Sequence, residues 1–166
     1  MDPDRRTARD LMEPRFATVS ASLPLREAVR DLLAERRGEG PGHLRVVIDD
    51  AGRCVGILTA RSALSGLLSP WDLPEELAGD RARLESLLFE RVLDRATEPV
   101  ASILPARPPT IAPGARLIEM IESAGAQEIE ALVVVEDERP IGLVPIQELY
   151  YQVARMTLTP EDEGIR

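Results

Sequence analysis

The chain writes one phrase twice. Residues 45–58 read RVVIDDAGRCVGIL and residues 132–144 read LVVVEDERPIGLV, one residue shorter in the turn. Upstream, RDLMEPRFATVSASLPLREAV at 9–29 matches ASILPARPPTIAPGARLIEMI at 101–121 in the same order. The copies stand 92 residues apart upstream and 86 apart at Gly56 and Gly142, because the first carries extra residues around RRGEGPG, 36–42. Two copies in register, differing in length only in glycine-rich and turn segments, mark a duplicated supersecondary unit.

Each copy predicts the same order of elements. A short extended piece (16–19, 109–111) leads into an amphipathic helix. Leu25, Ala28, Val29, Leu32 and Leu33 share one helical face, as do Leu117, Met120, Ile121 and Ala124. Pro24 suits a first helical turn, where a missing N–H costs nothing, and Gly38 or Gly125 can end the helix. The runs VVI (46–48) and VVV (133–135) read as strands covered on both faces. Acidic turns join them to 55–58 and 141–144 as hairpins. A helix closes each copy, at 60–68 and at 146 to about 156. In the second, Ile146, Leu149, Tyr150 and Val153 form an apolar stripe, which core packing explains.

Between the copies, residues 69–99 are too patterned for a slack linker. Pro70 and Pro74 break the chain, and Asp72 and Asp80 are candidate helix caps. Leu84, Leu87, Leu88 and Val92 then mark one helical face, and Glu98-Pro99 closes the segment. That face is expected to cover either the chain's own core or a partner subunit. The polar stretch TPEDEGIR makes 157–166 an expected flexible acidic tail.

The chemistry open to 166 residues of this composition is narrow. A net charge of −9 disfavours a nucleic-acid surface, which needs a basic patch, though a small anion pocket remains compatible. Every basic residue is arginine, so no lysine is available for a Schiff base or a Walker loop. With His43 the sole histidine, a multi-histidine metal site is impossible, and no metal site is expected. No GxSxG elbow is present, so no catalytic residue is assigned and no enzyme activity is expected. Cys54 reads as a small buried apolar residue. No apolar run is long enough to span a bilayer and the charged start lacks a signal core, so a cytoplasmic location is expected.

One copy of about 60 residues would struggle to bury its sheet alone. Pairing two solves that, giving an α/β (α+β) fold of two β-α-β-β-α repeats about a pseudo-twofold axis with a helical insert between them. This pattern resembles the tandem CBS-domain pair, or Bateman module. The residues carrying the resemblance are ARDLM, ATVSASLPLREAV and LRVVIDDAGRCVGILTARSAL in residues 8–68. In residues 100–156 they are VASIL, PTIAPGARLIEMI and ALVVVEDERPIGLVPIQEL. The resemblance implies a non-catalytic regulatory module, with AMP, ADP, ATP or S-adenosylmethionine as ligand in clefts between the repeats and no cofactor required. It also implies a homodimer of pairs and a regulated protein in trans.

In that family a Gly-hydrophobic-hydrophobic-Thr/Ser-x-x-Asp phrase joins the last strand to the last helix, its hydroxyl meeting phosphate or ribose and its Asp the ribose hydroxyls. A strand feeding a helix presents unpaired N–H groups to an anion, and a carboxylate three residues on can accept two O–H bonds. Here the first copy keeps Thr59 but has Ser62 in place of the Asp, and the second has Pro145 in place of the hydroxyl but keeps a carboxylate, Glu148. Each lost charge-assisted bond costs roughly 1.5–3 kcal/mol. The first cleft is therefore assigned Thr18, Val19, Leu44, Arg45, Thr59, Arg61 and Ser62. The second, weaker cleft is assigned Thr110, Ile111, Ala131, Pro145, Gln147 and Glu148.

Arg61, in the first helical turn, could grip a phosphate with a bidentate fork, or simply face solvent. Arg45, where the family commonly has proline, could reach the first cleft or pair with an acid. Thr18 and Thr110 hold matched positions where the family contacts ligand; the alternative is satisfaction of local backbone groups. The competing reading of the whole is a structural or dimerisation module with degenerate clefts and no nucleotide.

Overall fold

The computed structural model describes residues 5–34, 43–68, 75–127 and 129–158. The expectations for 36–42, Gly38, Pro70, Asp72, Pro74 and the tail from 159 onward lie outside them. In chain order the elements are α1 (Ala8–Leu11), β1 (Thr18–Ser20), α2 (Leu25–Leu33), β2 (Leu44–Ile48), β3 (Cys54–Thr59) and α3 (Ala60–Leu68). A 3₁₀ turn (Glu75–Leu77), α4 (Arg81–Arg95) and a second 3₁₀ turn (Val100–Ile103) follow. Among the described residues the last elements are β4 (Thr110–Ile111), α5 (Leu117–Gly125), β5 (Ala131–Glu136), β6 (Arg139–Pro145) and α6 (Ile146–Thr157).

Two three-stranded sheets, β1-β2-β3 and β4-β5-β6, repeat one topology: a parallel first pair, then an antiparallel hairpin. Their registers match residue for residue. Thr18 pairs with Val46 and Thr110 with Val133; Val47 with Gly56 and Val134 with Gly142; Leu44 with Thr59 and Ala131 with Pro145. A shift in register falls at the same place in both hairpins, at Val47/Ile48 and Val134/Val135. Such agreement carries the sequence echo into hydrogen bonds.

The hairpin turns differ. In the first, Gly52 takes φ 79°, and the Asp49 carboxylate accepts from the N–H groups of Ala51 and Arg53, both at 2.9 Å. In the second, Asp137 and Glu138 both take positive φ, 51° and 63°, the geometry of a two-residue primed turn.

The chain divides into two compact units, and the division cuts across the repeats. One unit is Ala17–Pro108; the other joins Met1–Phe16 to Pro109–Arg166. The first unit's core holds Val19, Leu25, Ala28, Val47 and Leu58 with Val100 and Ile103 from the second copy's leading phrase. The other core holds Met120, Leu132, Val134, Val144 and Leu149 with Ala8 from the first copy's leading phrase. Each repeat's opening phrase, ARDLM or VASIL, thus seals the other repeat's sheet. Backbone bonds fix the exchange. Glu13 and Leu143 trade N–H···O bonds at 2.7 and 2.9 Å, and Val100 N–H donates to Leu23 O at 2.8 Å.

Asp80 caps α4 by accepting from Arg83 N–H at 3.2 Å, and Leu84, Leu87, Leu88 and Val92 form its half-buried face. The stripe on α6 departs from the expected core role. Leu149 is buried, but Tyr150 is 76% exposed and Val153 is exposed as well. Gln152 takes the inward position instead, at 4% exposure.

Candidate functional site

Each repeat carries one strand-to-helix corner, and each corner is contained within one compact unit. At the first, β3 runs into α3 through Thr59. The Thr59 hydroxyl accepts from Ser62 N–H at 3.1 Å, while Ser62 Oγ accepts from Thr59 N–H at 2.8 Å. This is a reciprocal capping box, with serine in the role usually given to Glu or Gln. Ser62 Oγ in turn donates to Thr59 O at 3.1 Å. Thr59 is only 3% exposed, so its hydroxyl serves the corner first. Arg61, one residue beyond Ala60 in the first turn of α3, is exposed.

The remaining residues assigned to the first cleft separate by role. Leu44, paired with Thr59, is buried, and Val19 belongs to the core, so each offers a ligand little beyond its backbone. Thr18 is exposed on β1. Arg45 resolves its two alternatives in favour of an acid. It is fully buried, and Nε donates to Asp31 Oδ2 at 2.7 Å. Its other nitrogens donate to the carbonyls of Leu44 (3.0 Å), Asp31 (2.6 Å) and Ala34 (3.2 Å). A guanidinium over the last carbonyls of α2 satisfies groups a helix end leaves open and complements its dipole. Arg45 is thereby a helix-closing residue.

At the second corner, Pro145 is the residue before α6 and brings no side-chain cap. Ile146 N–H donates to Glu130 O at 3.0 Å, spending one of the open amides. Glu148 is half-buried and accepts from Gln152 Nε2 at 2.6 Å; Gln152 Oε1 accepts from Arg6 at 3.1 Å. The carboxylate is thus held in a side-chain relay reaching back to the leading segment. Gln147 is exposed; Thr110 and Ile111 are half-buried, Ile111 against the core; Ala131 is buried.

Sequence reasoning missed the relay and the Asp31 partner of Arg45. The signals existed: Glu148 and Gln152 are four apart on one helix, and Thr59-x-x-Ser62 has capping-box spacing. Cys54 is buried, and burial pushes its thiol above the usual range. Among the described residues no helix is long and apolar enough to cross a membrane.

A duplicated three-stranded unit whose strand-to-helix corners repeat in register defines a CBS-type pair. Residues 8–69, the first repeat, match the family model for the CBS domain. No curated protein matches the sequence. Among solved structures, a CBS-domain protein from Kribbella flavida is 21% identical, with TM-score 0.60, covering 90% of this chain and 98% of that one. CBSX2 in complex with AMP is 18% identical, with TM-score 0.62, covering 92% and 99%. The cytosolic domain of the Mg2+ channel MgtE in complex with ATP is 18% identical, with TM-score 0.62, covering 89% of this chain and 48% of that one. At these identities the likeness shows the fold, a mixed α+β CBS pair.

Proposed function

We propose that the protein is a non-catalytic regulatory module that binds an adenine nucleotide or related adenosyl ligand and passes its state to a partner protein in trans. The first corner is the better ligand site. Thr59 and Ser62 shape it, Arg61 supplies the phosphate fork, and Thr18 with the backbone of Val19 and Leu44 borders the base. Arg45 contributes by closing α2, with no direct ligand contact. The observation that carries this reading is the exposed Arg61 side chain within the self-capped Thr59–Ser62 corner. Structural relatives that hold AMP or ATP support the ligand class.

The second corner is the weaker site, with Glu148, Gln147, Pro145, Thr110, Ile111 and Ala131 around it. A structural role without nucleotide is favoured by one fact: every hydroxyl at the first corner already has a partner within it. Calorimetric titration of AMP, ADP, ATP and S-adenosylmethionine decides between the two. Saturable heat with at least one of them is expected. No heat and no thermal shift with any at millimolar concentration overturns the nucleotide reading.

A further inference from the structure

We infer that the cavity between the first turn of α2 and the chain leaving α4 is a separate anion site, for a small molecule carrying a diphosphate group. The cavity measures about 310 Å³ and is lined by Pro24, Arg26, Glu27, Arg30, Ala96 and Thr97. That is the lower end of the range for small-ligand sites. Its frame is fixed. The N–H groups of Leu25 and Arg26 donate to the carbonyls of Glu98 and Ala96 at 2.8 and 2.9 Å, and Val100 N–H returns to Leu23 O. With those helix-start amides spent, recognition falls to the side chains.

Arg26 and Arg30 lie four apart on one helix, both exposed, both on the cavity wall. Among the described residues neither guanidinium has a hydrogen-bond or ion-pair partner. Of the nearby acids, Glu27 lines the same wall, while Asp31 and Glu98 are occupied elsewhere. Asp31 holds Arg45, while Glu98 faces Arg95 at 3.8 Å and accepts from Ser102 at 3.2 Å. Like charges at this spacing repel, and Arg26 also sits at the positive end of the helix dipole. Both penalties vanish when an anion bridges the two forks. Two guanidinia side by side suit two linked phosphates better than one. Thr97 adds a hydroxyl whose present bond, to Asp94 O, is long at 3.4 Å. Glu27 opposes the anion and sets a ceiling on affinity.

The test is calorimetric titration of the full chain with inorganic pyrophosphate, with the Thr97 amide followed by NMR. Saturable binding that shifts Thr97 is expected. Arg26→Gln and Arg30→Gln should each weaken it about tenfold or more, and Glu27→Gln should tighten it. Both arginines are exposed and repel each other, so the variants should melt at or slightly above the parent, and heat from AMP should be unchanged in them. No binding of pyrophosphate at millimolar concentration, an unmoved Thr97 amide, or affinity retained in both arginine variants overturns the inference.

Discussion

Met12 lies directly over Gly142, so close that a Cβ on that glycine would stand 2.5 Å from the Met12 sulfur. The first repeat's leading phrase ends on this methionine, and the glycine belongs to the second repeat's hairpin. Leu104, at the matched position in the second leading phrase, does the same to Gly56, with its Cδ1 3.0 Å from a Cβ there. The paired glycines of the sequence echo are therefore contact points for the exchanged segments.

Gly142→Ala should destabilise the protein by about 1–3 kcal/mol through overpacking. Met12→Ala in the same chain should recover part of the loss, because it empties the space the new methyl needs. Urea denaturation of the two single variants and the double variant measures the coupling.

Gly66 and Gly125 make a contrasting pair. A Cβ on Gly66 would collide with the Ile103 side chain and crowd its carbonyl at 3.0 Å, whereas nothing lies within 4 Å of one on Gly125. Gly66→Ala should cost about 1–3 kcal/mol. Gly125→Ala, at the end of α5, should raise stability by about 0.5 kcal/mol through lower chain entropy. Melting temperatures of the two variants should move in opposite directions.

The Asp137-Glu138 turn asks two L-residues with ordinary side chains to hold positive φ. Asn-Gly is the sequence that fits such a turn without that cost. Asp137→Asn with Glu138→Gly should stabilise the chain by about 1 kcal/mol. Denaturation midpoints with an unchanged m-value would confirm it.

Asp49 should titrate below its ordinary 3.8, chiefly because Arg53 N–H donates to its carboxylate, with the Arg53 guanidinium and Ala51 N–H adding to the effect. A carboxyl whose folded value is depressed stabilises fully above its unfolded value and loses that contribution as pH falls through the folded one. Acidification past 3.8 should therefore loosen the first hairpin turn. Carboxyl NMR should place the Asp49 midpoint below that value, and Asp49→Asn should remove the acid-dependent change at Gly52 N–H, which donates to Asp49 O at 2.9 Å.

The duplicated fold was legible because β-branched runs and matched helix faces recur in register, and the hairpin pairings Val47–Gly56 and Val134–Gly142 follow that register. The exchange of leading segments was not, because ARDLM and VASIL precede their own repeats in sequence whichever sheet they seal. The helical spacing of Tyr150 from Ile146 predicts a core position, whereas the buried positions of α6 are Leu149 and Gln152. At the corners, Thr59 and Ser62 were visible as a departure from the family phrase. Their mutual cap was hidden because a Ser three residues after a Thr reads equally as a lost ligand and as a local bond.

A calorimetric AMP titration of the parent chain beside Ser62→Asp tests whether the Thr59 corner holds a nucleotide. Aspartate at 62 keeps an acceptor for Thr59 N–H and restores a carboxylate for ribose hydroxyls. Measurable AMP binding is expected in the parent, tightened about tenfold or more in the variant. AMP affinity that is absent from both proteins, or unchanged by the substitution, would contradict a ligand site at the Thr59 corner.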